Sequence, residues 1–363
     1  MRNALILCVA MGTLAAPSQA QLATDFDVTV APDYRAFNLD EGLAASSASL
    51  LLVPVAVTVP LGGSVAFDVY GAWATGSVDT RSGTLELSGP VDTQLRGTWA
   101  ALPWARLTVG VNVPTGHGTH SSEEAQVAAL LSTDLLGFRE ARFGTGLGVT
   151  TGVAVAHQLG AWALGYGASY RMSGEFEPSE DTSTVYSPGD EILARIALDR
   201  NVGASGKLTL GGTYQHFSED EFGDNLFQPG ARIRGDASLS FRAGRAATVM
   251  LYATDLWREQ GEVSLLGDAD ERGTVGSQNV VIVGAGASLG SRVRFSPRAD
   301  VRILSHEEGT GSGWVAGAGT GLEFDIGAFR LVPRGRFMLG SMEAEDGETH
   351  GLTGFEVELA AQF

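Results

Sequence analysis

Ten charged residues toward the C-terminus are spaced so that each set shares one side of an extended backbone. They are Arg294, Arg298 and Arg302; Glu323 and Asp325; Arg330, Arg334 and Arg336; and Glu356 and Glu358. Side chains alternate faces along a strand, so even separations project one way. Two kinds of chemistry suit such sets. Guanidinium groups facing carboxylates on a neighbouring strand form charge-assisted pairs that hold a wall in shape. Rings of the same charges around a watery passage select solutes. The roles are compatible, and Arg232, Arg234, Asp236 and Arg242 extend the pattern to an earlier segment.

Other reactive groups are sparse. His117-Gly-Thr-His120 places two imidazoles three apart, but no third ligand accompanies them in sequence, so neither a metal nor any other cofactor is expected. Three acidic clusters (Glu175, Glu177, Glu180, Asp181; Asp268, Asp270, Glu271; Glu343, Glu345, Asp346, Glu348) read as solvated loops that could also bridge divalent ions to lipopolysaccharide. His157 and His216 have no serine at a suitable distance in sequence. No Gly-x-Ser-x-Gly elbow, His-Glu-x-x-His or phosphate loop occurs, so an enzyme is not expected.

The elements that must carry the charges are strands. Opposite the C-terminal acids, Phe355, Val357, Leu359, Ala361 and Phe363 form an apolar face. The same alternation sets Val293, Phe295, Val301 and Ile303 against arginines, and Phe337 and Leu339 against Arg334 and Arg336. Segments of about 10 to 15 residues with this period exceed the usual soluble strand of ~5 to 6 and suit a tilted membrane-spanning strand. Tight joints near residues 61–63, 102–104, 158–160, 202–204, 242–244, 290–292 and 327–328 alternate with longer polar stretches at 77–90, 115–141, 174–187, 219–229, 258–278, 306–312 and 344–351. Short turns on one side and long loops on the other predict an all-β, transmembrane, antiparallel up-and-down barrel of about sixteen strands. The first strand falls near 25–37; fourteen strands is the alternative if the first hairpin does not join. Trp99, Trp104 and Trp162 fall beside short turns, and Trp73, Trp257 and Trp314 toward the long-loop side, as two aromatic girdles would require.

Composition supports the same class. Gly is 49 of 363 residues, Lys207 is the only lysine, and charged residues are just 18%. Hydrophobic content of 44% excludes disorder, and the net charge of −18 argues against nucleic acid as a partner. Arg2, an apolar run from Ala4 to Ala16 and Ser18-Gln-Ala20 make residues 1–20 a secretory signal peptide, leaving 21–363 as the barrel. Cys8, the only cysteine, lies inside that signal, so the mature barrel must be stable without disulfides.

The stretch 115–141 differs from the other loops. Ser121-Ser-Glu123-Glu124 resembles a capping box, and Ala125 to Phe138 carries Val127, Ala128, Leu130, Leu131, Leu135 and Leu136. So much apolar surface on a loop should cover something. A short helix folding into or across the barrel mouth is expected, with Glu123, Glu124, Val127, Leu130, Leu131 and Leu135 narrowing the passage.

The terminal strand ending at Phe363 resembles the assembly signal of Gram-negative outer-membrane proteins, implying the barrel-assembly machinery as a partner. Further similarity lies in Leu107-Thr-Val-Gly-Val-Asn-Val-Pro-Thr-Gly116, Gly144-Thr-Gly-Leu-Gly148, Gly160-Ala-Trp-Ala-Leu-Gly-Tyr-Gly-Ala-Ser-Tyr-Arg171 and Tyr186-Ser-Pro-Gly-Asp-Glu191. These runs resemble the outer-membrane transporters of phenol-degradation pathways, distant relatives of the fatty-acid and hydrocarbon channels. The resemblance implies passive passage of small molecules, hydrophobic or aromatic ones included, through a monomer set in outer-membrane lipid and lipopolysaccharide. The hydrocarbon channels open with a large N-terminal hatch. Here only Gln21 to Asp25 precede the first strand, which argues against hatch gating. The alternative is a structural or adhesive barrel that works through its extracellular loops without transport.

Overall fold

The computed structural model describes residues 26–140, 143–244, 246–265, 272–290, 293–307, 311–327, 329–344 and 346–363. The expected signal peptide lies outside these residues, as do Asp268, Asp270, Glu271, Arg292, Ala328 and Glu345. Sixteen strands close into one antiparallel barrel. They are β1 (Asp27–Val30 and Asp33–Leu39), β2 (Ser47–Pro60), β3 (Val65–Thr80), β4 (Gly83–Leu102), β5 (Ala105–Val113), β6 (Gly148–Leu159), β7 (Trp162–Ser173) and β8 (Glu191–Val202). There follow β9 (Gly206–Phe217), β10 (Arg232–Arg242), β11 (Ala247–Arg258), β12 (Gln278–Leu289), β13 (Val293–Phe295 and Arg298–His306), β14 (Gly313–Ile326), β15 (Phe329–Glu343) and β16 (Thr349–Gln362).

The first hairpin joins, which decides for sixteen over fourteen. β1 pairs with β2 on one side and closes on β16 on the other, with Asp33 opposite Glu358 and Leu39 opposite Leu352. Closure leaves no edge, so the ladder satisfies the backbone where lipid offers no partner. Two strands are in two pieces because Pro32 and Pro297 have no N–H to give. Their carbonyls still accept, from Leu359 N at 2.9 Å and Ala287 N at 3.0 Å.

The alternation reads out as a lipid-facing band. Phe337 is 58% exposed and Val357 52%, whereas Glu356 between the C-terminal apolar positions is 2% exposed. Trp104 and Trp162 lie at short turns with Trp99 just above, and Trp257 and Trp314 sit at the opposite strand ends. Trp73 is mid-strand only because the β3–β4 hairpin runs on above it.

That hairpin corrects one expectation. Residues 77–90 are not a loop but strand, joined by a tight turn after Thr80. Their outward face meets water, so its polar composition concealed the alternation of Val78, Leu85 and Leu87. The long connections also contain structure. Segments Tyr186–Ser187, Asp220–Phe222, Asn225–Gln228, Gly261–Leu265 and Arg272–Val275 make a second, five-stranded sheet beyond the barrel.

The apolar core sits inside the barrel. The connection between β5 and β6 folds inward and carries α1 (Ser122–Leu131). Ser121 caps it as the sequence predicts: the side chain accepts from Glu124 N, and Glu124 accepts from Ser121 N. The helix is short, as expected: it ends at Leu131 with Ser132 as its cap, and Leu135 and Leu136 lie in the turns that follow. Val127, Leu131, Leu135, Leu136 and Phe143 are fully buried against Phe37, Leu50, Leu52, Leu87, Val280, Leu304 and Met338 of the wall.

Candidate functional site

The inserted segment, residues 114–147, is held by groups that answer specific backbone needs. At its base stands Asp92, 3% exposed. One carboxylate oxygen accepts from Gly116 N at 2.8 Å; the other accepts from Thr145 N at 2.7 Å and Asn112 Nδ2 at 2.8 Å. A single buried anion therefore clamps both ends of the segment, and its hydrogen bonds offset the cost of burial. Gly76 makes the seat for the helix: a Cβ there would stand 2.6 Å from Leu131 Cδ1.

Beyond the helix C-terminus, carbonyls have no intrahelical donors and must be satisfied otherwise. Wall arginines supply them. Arg302 donates to Asp134 O at 3.0 Å and Leu135 O at 3.1 Å, and Arg35 donates to Leu136 O at 3.2 Å and to Gly137 O. Gly137 adopts φ +62°, which turns the chain past these arginines without a side chain in their way. The Asp134 carboxylate in turn accepts from Arg258 at 3.1 Å and Gln278 at 2.8 Å.

The segment returns one cation to the wall. Asp33, Glu356 and Glu358 are buried with carboxylate oxygens within 4.8 Å of one another, a grouping that could hold a metal ion. Arg139 stands in that position, 3.0 Å from Asp33, 3.5 Å from Glu356 and hydrogen-bonded to Glu358. A guanidinium neutralises the cluster and satisfies several lone pairs at once.

The charged residues singled out in the sequence fall into two groups. Across β15 and β16, Arg334 faces Glu358 and Arg336 faces Glu356 in register, and both couples are ion-paired. Arg336 also pairs with Asp300, and Arg298 reaches Glu356 at 3.5 Å. Near the short turns, Arg294 pairs with Glu323 and Asp325, and Arg330 lies 3.0 Å from each of the same two acids. Expected as lining, Arg302, Arg336, Glu356 and Glu358 instead lie beneath the inserted segment, with Arg336 and Asp300 side chains each 9% exposed. Of the loop residues, Val127, Leu131 and Leu135 are buried in the core and Leu130 is half-buried; Glu123 is exposed and takes no part. Glu124 is drawn in by the cap. Partial burial opposes its charge, but the Ser121 N–H and His117, 3.2 Å away, hold its carboxyl below the ordinary range.

Asp33, Arg35, Asp92 and Arg139 were not evident from sequence, whereas Asp300 alternates with Ala299 and Val301 on the face of Arg298 and Arg302. Of the four, Asp33 and Arg35 carried a signal, their alternation with Tyr34 and Ala36 in the first strand.

The segment fills one side only. It packs on β1–β4 and β11–β16, with Tyr252, Leu256 and Arg258 of β11 in the contact, while the inward faces of β5–β10 keep small and polar residues in partial contact with water. Facing inward there are Thr108, Gly110, Thr150, Gly152, Gly165, Gly167, Thr209, Gly211 and Thr213. Three ion pairs on this open side and its flank are wet: Asp68 with Arg96 at 2.8 Å, Asp199 with Lys207 at 3.1 Å, and Asp236 with Arg234 at 2.7 Å. Their carboxylate side chains are 21–29% exposed, against 3–9% for Asp33, Asp300, Glu356 and Glu358.

No protein-family model and no curated protein matches the chain. Solved structures similar to it include OccK11 of Pseudomonas aeruginosa (11% identity, 93% of this chain and 96% of that one, TM-score 0.46). The CymD monoaromatic hydrocarbon channel is similar at 10% identity (93% and 87% covered, TM-score 0.44). So is an outer membrane channel from Pseudomonas putida F1 at 12% identity (80% and 97% covered, TM-score 0.40). The closed sixteen-strand barrel, with its apolar outer band, short turns on one side and long loops on the other, is an outer-membrane architecture and sits in that membrane.

Proposed function

We propose that the protein is an outer-membrane channel through which small molecules pass along one side of a half-plugged lumen. The observation that carries this reading is the division of the interior. Apolar and charged groups under β1–β4 and β11–β16 are sealed by residues 114–147, while the polar inward face of β5–β10 remains wet. On that reading Arg294, Arg298, Arg330 and Arg334, with Glu323 and Asp325, set the charge at the lower part of the passage. Arg302, Arg336, Glu356 and Glu358 fix the plug that narrows it. The lining of Thr, Gly, Arg and Asp favours small polar solutes, including those that join an aromatic ring to a carboxylate. Of the small molecules the resemblance implies, this lining suits the polar and aromatic-acid ones better than the hydrophobic ones, because the inward apolar side chains are engaged by the plug.

His157 supports a non-catalytic reading. Its ring stacks on Trp104 at 5.7 Å and approaches the Tyr166 hydroxyl at 3.4 Å, an arrangement of girdle residues on the lipid face. The whole mature chain would then be one barrel, 21–363, preceded by a signal at 1–20 and assembled through its terminal strand. One observation favours a second reading, a barrel acting through its loops: the separate five-stranded extracellular sheet.

Liposome swelling with sugars, amino acids and aromatic acids separates the two. Permeation of at least one class, increased on deletion of residues 121–138, is the expected result. Impermeability of both proteins to every solute would leave only the loop-based role.

A further inference from the structure

Two imidazoles that lacked a third ligand in sequence acquire one in three dimensions. His117, His120 and Glu124 offer one ligand atom each, and all three atoms lie within 4.8 Å of one another. We propose that these residues form a binding site for a divalent transition metal, with zinc as the favoured ion. The proposal goes beyond the permeation reading and does not depend on it.

The geometry comes first. Zinc bound at about 2.0–2.2 Å to nitrogen and oxygen in tetrahedral angles needs those ligands about 3.4 Å apart. His117 Nε2 and Glu124 Oε1 are already 3.2 Å apart. His120 must close by at most about 1.4 Å to complete the same spacing, a movement that a ring rotation supplies. The His117 and His120 rings are already neighbours, with centroids 5.2 Å apart and planes inclined at 54°.

The ligands are also held in place. Glu124 uses its other oxygen, Oε2, to accept from Ser121 N at 3.0 Å, so the cap orients the carboxylate and leaves Oε1 for an ion. The backbone of His117 donates to Pro90 O at 2.9 Å, and that of His120 to Pro178 O at 3.0 Å. The site therefore stands where the plug leaves β5, beside the β3–β4 hairpin and under the loop after β7.

Access and charge agree with a cation. The His117 and Glu124 side chains are 31% and 21% exposed, so an ion can reach them from the extracellular side. Glu123 and Glu124 in the first turn offset the positive end of the helix, and the overlying loop carries Glu175, Glu177, Glu180 and Asp181. Two imidazoles and one carboxylate prefer zinc over calcium or magnesium, which take oxygen-rich sets. Three protein ligands leave a fourth position for water.

The test is calorimetric titration of untagged, metal-free protein in detergent micelles with zinc chloride. One saturable site per chain is expected. Glu124→Gln keeps a residue able to complete the capping box while removing the anionic ligand. Since loss of an outer-shell partner alone costs about 10- to 100-fold, loss of this ligand should weaken zinc at least tenfold. His117→Ala/His120→Ala should abolish it, with heat-modifiable migration on gels reporting that each variant is folded. The proposal is overturned by absence of saturable binding to the native protein, or by unchanged affinity in either folded variant. The second result would direct attention to Asp346, Glu348 and His350. Because binding rather than permeation is read, neither result bears on the channel.

Discussion

The guanidinium of Arg139, carried by the inserted segment, lies 3.0 Å from the carboxylate of Asp33, which is 3% exposed on the inner wall. The two residues are far apart in sequence and meet only because the β5–β6 connection turns into the barrel. The contact couples plug to wall at the point where three acids converge.

Arg139→Ala should release the plug while sparing the barrel. Breaking a buried ion pair costs about 3–5 kcal/mol, and the partial exposure of Arg139 puts its loss toward the low end. Arg35, Arg298, Arg334 and Arg336 remain to neutralise the acids, so the strands should stay assembled. Planar-bilayer recording should show larger, noisier conductance. An unaltered trace would mean that the segment is held without this contact.

Asp92→Asn tests the clamp at the base of the plug. Asparagine keeps one acceptor but turns an NH2 group toward Gly116 N or Thr145 N. One unsatisfied buried donor costs about 1–3 kcal/mol. Limited proteolysis should then cut within residues 114–147 in the variant and not in the native barrel. Equal resistance of the two proteins would rule the clamp out.

The cap at the start of α1 should depend on pH. Although partial burial works against its charge, Glu124 is held below the ordinary 4.5 by the Ser121 N–H and His117. A carboxyl depressed in the folded state stabilises above its unfolded value and loses that contribution as pH falls through the folded one. Protection of the Ser121 and Ala125 amides from hydrogen exchange, measured against their intrinsic rates at each pH, should thus fall below about pH 4.5. Glu124→Gln should flatten the dependence; a variant that keeps it would assign the effect to another group.

Phe363 closes the seam. Its N–H donates to Val28 O at 2.9 Å, its carbonyl accepts from Val28 N at 3.3 Å, and its ring meets Phe329 at 5.0 Å. Because the ring is 58% exposed to lipid, Phe363→Ala should cost little stability in the folded barrel. If the residue serves as an assembly signal, the same change should strongly lower the amount inserted in cells. Equal insertion would leave Phe363 a seam residue alone.

The sequence was most legible where one physical rule acts along the chain. A strand between lipid and lumen must alternate, so Phe355, Val357 and Leu359 against Glu356 and Glu358 announced both the element and its orientation. The capping box of Ser121 and Glu124 was readable for the same reason, since it depends on residues three apart. The hairpin over 77–90 was misread because its outer face meets water and loses the contrast on which the reading relies.

What the chain alone determined is therefore the barrel, a meander of sixteen or fourteen strands, its two unlike rims and the presence of an apolar loop that had to cover something; closure through the first hairpin decided for sixteen. Tertiary structure decided where that loop goes and which charges it takes with it. Arg35, Arg302 and Arg139 became fasteners, Asp92 became a clamp, and His117 and His120 acquired Glu124. Those outcomes rest on contacts between residues tens or hundreds of positions apart, which closure of the barrel brings together and no local periodicity encodes.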